Sequence, residues 1–422
     1  MSREKSKKPD RLRFLHTADW QLGKPFAGIT DPLKRSRVQQ ERFNAVRRIK
    51  KVVADFEPEF LVVCGDLFDS PTATNATIVA ALDGIAALEI PVYVIPGNHD
   101  YGGGGSIWDR PFFKSEAKRL ANNLSVLRLR EPVELERAVL LPCPMGRRHE
   151  IEDPTLWLRQ LDYSTLPDKP RIVLAHGSVE DFGKSPGAMA DALAIRSESE
   201  PELIEGFAPN IINIERLPTD ELDYIALGDW HGGLQVTEKA WYCGTPEPDR
   251  FPKSGQLTGR LIAATVSRAE PRPTVEWVET GRLQWHSGEI SVSDASGAAS
   301  VDRWLSAVTE PQGFDTALAR VVLRGSLTLD GRRELDQVKE SWAARLLRFD
   351  VDEKISITPS EAEIQSLAER DEDPILSGVA GELISRLAGT ELSPAEVSPE
   401  ARIVLEEALA VLHAAVCSGE QI

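Results

Sequence analysis

Ten residues of this chain have the side chains and the spacing to do chemistry. They fall in five short clusters: Asp19 and Gln21 in "ADWQ", Asp66 and Asp69 in "GDLFD", Asn98, His99 and Asp100 in "GNHD", His176 in "AHG", and Asp229 and His231 in "GDWH". Each is a carboxylate, an imidazole or an amide, and none is a thiol. Mixed oxygen and nitrogen donors of this kind suit Mn²⁺, Fe²⁺, Zn²⁺ or Mg²⁺. Several carboxylates converging on one place repel one another unless a cation offsets them. A carboxylate shared by two ions about 3.5–4 Å apart can activate a water and steady the departing oxygen in phosphoester cleavage. Taken singly the clusters are weak signals, because an "AHG" histidine is usually a satisfied core or loop residue and "GD" at a strand end is usually a turn. Their weight lies in all five occurring in this order.

The elements around them must deliver these residues to one place. The runs "FLVVCGD" (60–66), "PVYVIPGNHD" (91–100), "RIVLAHG" (171–177) and "LDYIALGDWHGG" (222–233) are apolar and end in polar residues, as strands buried on both faces do. Helical patterns over 38–56 and 77–88 flank the first of them, and the order β-α-β-α-β predicts layered α/β architecture. In open α/β sheets ligands sit at the carboxyl ends of strands, where the polar residues that end these runs fall. After about residue 255 the texture changes to short antiparallel strands ("GRLIAATVS", "TVEWVET", "GRLQWHSG"). A strand, helix, strand unit follows, through "TALARVVLRGSLTL", "GRRELDQVKESWAARL" and "LRFDVDEKISITP". The expected domains are therefore 1–255, a smaller α+β domain over 256–359, and an acidic helical tail over 360–422. Leu405, Leu409, Leu412 and Val416 lie at helical spacing in that tail.

A chain of 422 residues has material for two or three domains. No apolar run of the length of a membrane span is present, and the start "MSREKSKKPDRLR" lacks the apolar stretch of a secretory signal, so a cytoplasmic protein without membrane attachment is expected. Cys64, Cys143, Cys243 and Cys417 are scattered, without a CxxC pair, and read as reduced and buried. The net charge of −17 argues against coating nucleic acid by bulk electrostatics. The charge is uneven, however: residues 1–60 carry 15 Lys and Arg against 8 Asp and Glu, whereas residues 361–422 carry 3 against 13. Solvated faces account for this, and so does a basic rim with an acidic tail that faces something else. The run "YGGGGS" is not followed by Gly-Lys-Ser/Thr and is not read as a phosphate-binding loop.

With its "GDLFD" and "GNHD" elements in combination, the stretch from about 12 to 250 resembles the calcineurin-like metallophosphoesterase superfamily, whose pattern is DxH, GDxxD, GNH[DE], a separate His, and GHxH. "WYCGTPEPDRF" and the following α+β unit are similar to the SbcD-type bacterial DNA repair nucleases, which carry a capping domain after the phosphoesterase domain. The resemblance implies a sheet sandwich flanked by helices, and a DNA exo- or endonuclease that works with an SbcC-like, SMC-type ATPase. It also implies two divalent ions, Mn²⁺ first and Mg²⁺ next, and admits a homodimer. Carried over by position, it makes Asp66 the bridging ligand. Asp19, Gln21 and His231 would complete one metal, and Asn98, His176 and Asp229 the other. His99 would protonate the leaving alkoxide, while Asp69 and Asp100 would orient their neighbours. For Asp100 a plain turn role is the alternative.

Two positions depart from the pattern: Gln21 and Asp229 stand where the family has histidine. A Gln oxygen is a neutral, weak donor that should loosen its metal, and the extra carboxylate favours Mn²⁺ or Mg²⁺ over Zn²⁺. A scaffold with weakened catalysis that holds DNA or the ATPase, and a phosphodiesterase for small molecules, are the other readings. Arg147, Arg148 and His149 could touch a phosphate backbone or be a solvated loop. Trp20, Trp108 and Trp230 could stack on bases or pack as walls.

Overall fold

In a computed structural model of the chain, residues 11–179, 209–252, 256–293, 296–357, 359, 361–370, 373–388 and 399–419 are described. The lysines and arginine of the first ten residues, part of the expected basic rim, lie outside them, as does the side chain of Cys417. Strands β1 (Leu12–Thr17), β2 (Phe60–Cys64), β3 (Val92–Ile95) and β4 (Leu124–Val126) run parallel in that order. Their crossovers hold helices α1 (Pro32–Phe56), α2 (Asn75–Ala86) and α3 (Pro111–Leu120). Asp31 caps α1 by accepting from the Leu33 and Lys34 amides, and Thr74 caps α2 through the Thr77 amide.

A second sheet contains β5 (Val133–Glu134), β6 (Val139–Cys143), β7 (Arg171–His176), β10 (Tyr224–Gly228), β11 (Leu234–Gln235) and β12 (Ala240–Tyr242), in the order β11-β12-β10-β7-β6-β5. Its strands β6, β7, β10 and β12 are parallel, while β8 (Ser178–Val179) and β9 (Ile211–Ile212) form a small separate pair. The two sheets pack face to face, and the two-residue period of the strands decides which side chain goes where. Leu12, Phe14, Phe60 and Val62 meet Leu140, Ile172, Leu174 and Tyr224 between the sheets, whereas Leu15, Leu61, Val63 and Val94 face the helices. This is the expected sheet sandwich of mixed α/β class. Among the described residues, the outer face of the second sheet is covered by short 3₁₀ turns and loops, including Leu156–Arg159 and Ile214–Arg216.

Two of the three strands expected to open a second domain belong to the first. β13 (Arg260–Val266) lies antiparallel to β1, with β14 (Thr274–Glu279) outside it, so the first compact unit runs to Gln284 and not to 255. The physical reason is the apolar run Leu261 to Ala264, which is too buried for the edge of a small domain and fills both faces beside β1. The second unit begins at Trp285. It holds all but the first residue of β15 (Gln284–Val292), then α4 (Gly297–Thr309), β16 (Ala317–Leu327), α5 (Leu329–Arg345) and β17 (Arg348–Ile357), the expected strand, helix, strand unit with β16 and β17 parallel. Val301, Leu305, Leu323, Leu335 and Trp342 form its core. Three further helices, α6 (Glu361–Ala368), α7 (Pro374–Ala388) and α8 (Pro399–Gly419), pack on one another. No helix among the described residues is long and apolar enough to cross a membrane.

Candidate metal centre

Each cluster sits where a strand stops. Asp19 and Gln21 follow β1, Asp66 and Asp69 follow β2, Asn98 to Asp100 follow β3, His176 ends β7, and Asp229 and His231 follow β10. The backbone there is bent into conformations that side chains resist: Asp19, Gln21, Asp66 and Asp229 have φ of 54°, 40°, 54° and 98°. Such strain gathers at functional sites and needs surroundings that enforce it. Here the "DWQL" and "GDL" segments bind each other in register, with Asp19 N to Gly65 O at 3.1 Å, Gln21 N to Asp66 O at 2.8 Å and Leu22 N to Leu67 O at 2.9 Å. The buried Arg42 guanidinium of α1 donates to the carbonyls of Asp19 (3.0 Å) and Trp20 (2.5 Å). Two glycines let the loops approach. A Cβ on Gly65, whose φ is 87°, would lie 2.1 Å from His176 Nδ1, and one on Gly97 would lie 2.2 Å from Asp66 Oδ1.

Asp19, Asp66 and His176 each bring one donor atom into a group whose members lie within 4.8 Å of one another, all three buried. His176 Nε2 also lies 2.8 Å from Asn98 Oδ1, 3.5 Å from Asp66 Oδ1 and 3.8 Å from Asp229 Oδ1, while Nδ1 bonds to the Cys64 carbonyl at 2.8 Å. The Asp229 amide donates to both Asp19 oxygens at 3.2 and 3.1 Å, and Ser178 Oγ donates to Asp229 Oδ2 at 2.8 Å. Five of the sequence-derived ligands therefore meet. Their electrostatics demand positive charge. Burial, with Asp66 and Asp229 nearby, pushes the Asp19 carboxyl well up. At His176 burial works the other way, but Asp66, Asp19 and Asp229 overcome it and raise the imidazole to about 9. A divalent cation meets the same demand, and oxygen-rich donors with one imidazole fit a hard or borderline ion.

Gln21 and His231 join the cluster differently. Gln21 Nε2 donates to Asp66 Oδ2 at 3.3 Å, and Gln21 Oε1 accepts from Lys24 Nζ at 2.9 Å. Lys24 Nζ also pairs with Asp249 Oδ2 at 2.5 Å, and the same oxygen faces His231 Nδ1 at 2.9 Å. Arg250 Nε reaches Asp249 Oδ1 at 3.1 Å. Burial, then the Arg250 charge, pushes His231 down to about 3, so its ring is neutral, as a metal-binding imidazole must be. At Asp249 burial acts upward, yet Arg250, His231 and Lys24 together hold its carboxylate well below the usual range.

His99 N donates to Asp66 Oδ1 at 2.9 Å, its Nδ1 bonds to the Asp69 carbonyl oxygen at 2.8 Å, and its Nε2 stands 4.0 Å from Asp66 Oδ2. Asp69 thus orients His99 through its backbone carbonyl. The fully buried Asp100 carboxylate accepts from the Gly97 amide at 2.8 Å and the Phe68 amide at 3.0 Å, tying the "GNHD" turn to the "GDLFD" loop. Trp20 and Trp108 are buried in the core behind the first sheet, and Trp108 Nε1 donates to the Asp100 carbonyl. Trp230 packs half-buried against the second sheet, and Arg147, Arg148 and His149 are exposed. Lys24, Arg42, Ser178, Asp249 and Arg250 are the residues that sequence reasoning missed as parts of the site. Asp249 and Arg250 lie in a polar cluster beyond the end of β12, so the strand-end rule that found the other clusters extends to them.

Residues 12–233, more than half of the chain, match the sequence profile of the calcineurin-like phosphoesterase family. A solved structure, that of TT1561 of Thermus thermophilus, is similar over 63 % of this chain and 98 % of that one, at 11 % identity and a TM-score of 0.34.

Proposed function

Because the chain belongs to the calcineurin-like phosphoesterase family, and is therefore a metal-dependent phosphoester hydrolase, we propose that its substrate is DNA. In this reading it is a phosphodiesterase of SbcD type, the exo- or endonuclease subunit of a double-strand-break repair or end-processing complex, with an SbcC-like, SMC-type ATPase as partner. The observation that carries the phosphoester chemistry in this reading is the meeting of Asp19, Asp66 and His176 at the strand ends, with His99 beside Asp66. The local basic excess of residues 1–60 and the exposed Arg147 and Arg148 support an anionic polymer as substrate.

Asp66, Asn98, His176 and Asp229 would hold a divalent ion, with the Asp19 carboxylate in the same group as Asp66 and His176, and the resemblance assigns Asp19 and His231 to a second. Mn²⁺ fits the oxygen-rich donors best, with Mg²⁺ next. When bound, such an ion supplies Lewis acidity and a water of lowered pKa. The chain's own residues do the rest. His176 is held by the Cys64 carbonyl, and Asp229 by Ser178. His99 donates its Nδ1–H to the Asp69 carbonyl, so the imidazolium form would deliver its Nε2 proton to the leaving oxygen and leave the neutral Nδ1–H ring.

The test is cleavage of linear and hairpin DNA with Mn²⁺, with Mg²⁺ and without metal, beside a His99→Ala control. Metal-dependent cleavage lost in the control is expected. Hydrolysis of small phosphodiesters with no action on either DNA would replace this reading by the small-molecule one.

A further inference from the structure

Gln21 holds a position between a group that can only donate and a group that can only accept. Its Oε1 receives the Lys24 ammonium at 2.9 Å, and its Nε2 donates to Asp66 Oδ2 at 3.3 Å. Rotating the amide by half a turn would set N–H against ammonium and carbonyl against carboxylate, so the network admits one orientation. That orientation is built in from both sides. Lys24 is held at 2.5 Å by Asp249, itself buried and tied to His231 and Arg250. Gln21 is 3 % exposed, its φ is 40°, and its backbone N–H donates to the Asp66 carbonyl at 2.8 Å, so the residue is buried and its backbone is fixed beside Asp66. The one atom of Gln21 able to ligate a metal therefore points away from Asp66, and an N–H points toward it. On the opposite side of Asp66, Asn98 Oδ1, His176 Nε2 and the Asp229 carboxylate converge with no Lys or Arg side chain among these donors.

We infer that Gln21 is a positioning residue and not a ligand, that Lys24 sets its orientation, and that the pocket takes one tight divalent ion, on the Asn98, His176 and Asp229 side of Asp66. Lys24, anchored on Asp249, supplies fixed positive charge on the other side. The inference rests on the divalent-metal reading of the pocket and on no assumption about substrate.

Mn²⁺ titration of the whole chain, read by equilibrium dialysis and by electron paramagnetic resonance, tests it without an activity assay. The wild type should bind one tight Mn²⁺ per chain with an uncoupled spectrum. Lys24→Met frees the Gln21 oxygen, and Gln21→His supplies an imidazole in its place. In either variant the second Mn²⁺ should tighten by ~10–100-fold, the usual reach of an outer-sphere partner, and a spin-coupled pair should appear. Two equally tight, coupled ions in the wild type would overturn the inference. So would variants that, like the wild type, take one ion. No bound Mn²⁺ in any of the three would overturn the metal reading itself, an outcome distinct from a chain that binds one ion and leaves DNA intact.

Discussion

His99 and Asp66 are neighbours with different work, and substitution should separate them. Because Nδ1 of His99 is committed to the Asp69 carbonyl, its imidazole reaches the pocket through Nε2 alone, and none of the contacts that gather the metal donors depends on that ring. His99→Ala should keep fold and metal while losing ~10²–10⁴ in rate, the range of general acid catalysis. Asp66→Asn should instead lose the metal, since Asp66 is the carboxylate approached from both sides by Gln21 and His176. Metal content by mass spectrometry beside single-turnover rates checks both. Metal loss in His99→Ala would show that the imidazole is a ligand.

Among the elements, β1 and β2 carry the most consequence, because the same strands build the sandwich and aim the site. Gly65 ends the β2 run, where a Cβ would collide with His176 Nδ1. Gly65→Ala should cost about 1–3 kcal/mol, as overpacking does, and should weaken Mn²⁺ binding, measured by unfolding and by dialysis. Unchanged binding would mean that His176 can move aside. On β1, His16 links the sheets: its Nδ1 lies 3.0 Å from Tyr224 Oη and its Nε2 lies 3.2 Å from the Leu227 carbonyl. Burial lowers its pKa from 6.5 to about 3, only partly opposed by the Leu227 carbonyl. Above pH 6.5 both folded and unfolded chains hold it neutral, and its contribution to stability is fully present. As the pH falls from 6.5 toward 3 the unfolded chain gains the proton and the folded one does not, so stability drops by about 1.4 kcal/mol per unit from this residue. His16→Gln should flatten that acid slope in urea unfolding across the series. Parallel slopes would rule out His16 as its source.

Taken whole, the molecule has two units with separate cores, divided at Gln284. A chain ending at Gln284 keeps β13 and β14 beside β1 and should fold and bind metal, whereas one ending at 255 would strip β1 of a neighbour and should be insoluble. Expression and dialysis of both check this. The acidic helices present less free apolar surface than their spacing promised. Leu409 is 1 % exposed and Leu405, Leu412 and Val416 are half-buried, while Val404 and Val411 of the same helix are exposed. As part of the proposed partnership, deletion of 360–422 should leave metal binding and DNA cleavage intact and abolish co-purification with the SMC-type ATPase. Co-purification at unchanged affinity would remove these helices from that partnership.

The strands, their order and the kind of chemistry are legible in the amino-acid order alone. A run such as "FLVVC" has one way to satisfy its apolar side chains and its backbone together, and polar residues after four such runs land at one end of parallel strands. The resemblance those motifs carry assigns Asp19, Asp66 and His176 to one metal centre, and the fold brings the three together. Where the first unit ends is a matter of long-range packing, because the fitness of β13 beside β1 depends on a pairing of residues such as Leu12 and Val266, far apart in the chain. The same holds for Gln21. Its residue type allows either a ligand or a hydrogen-bond relay, and the choice belongs to Lys24 and Asp249, the latter contributed from beyond the second sheet's last strand. A side chain's orientation follows from the donors and acceptors that surround it, and in this pocket those come from segments that no local pattern joins.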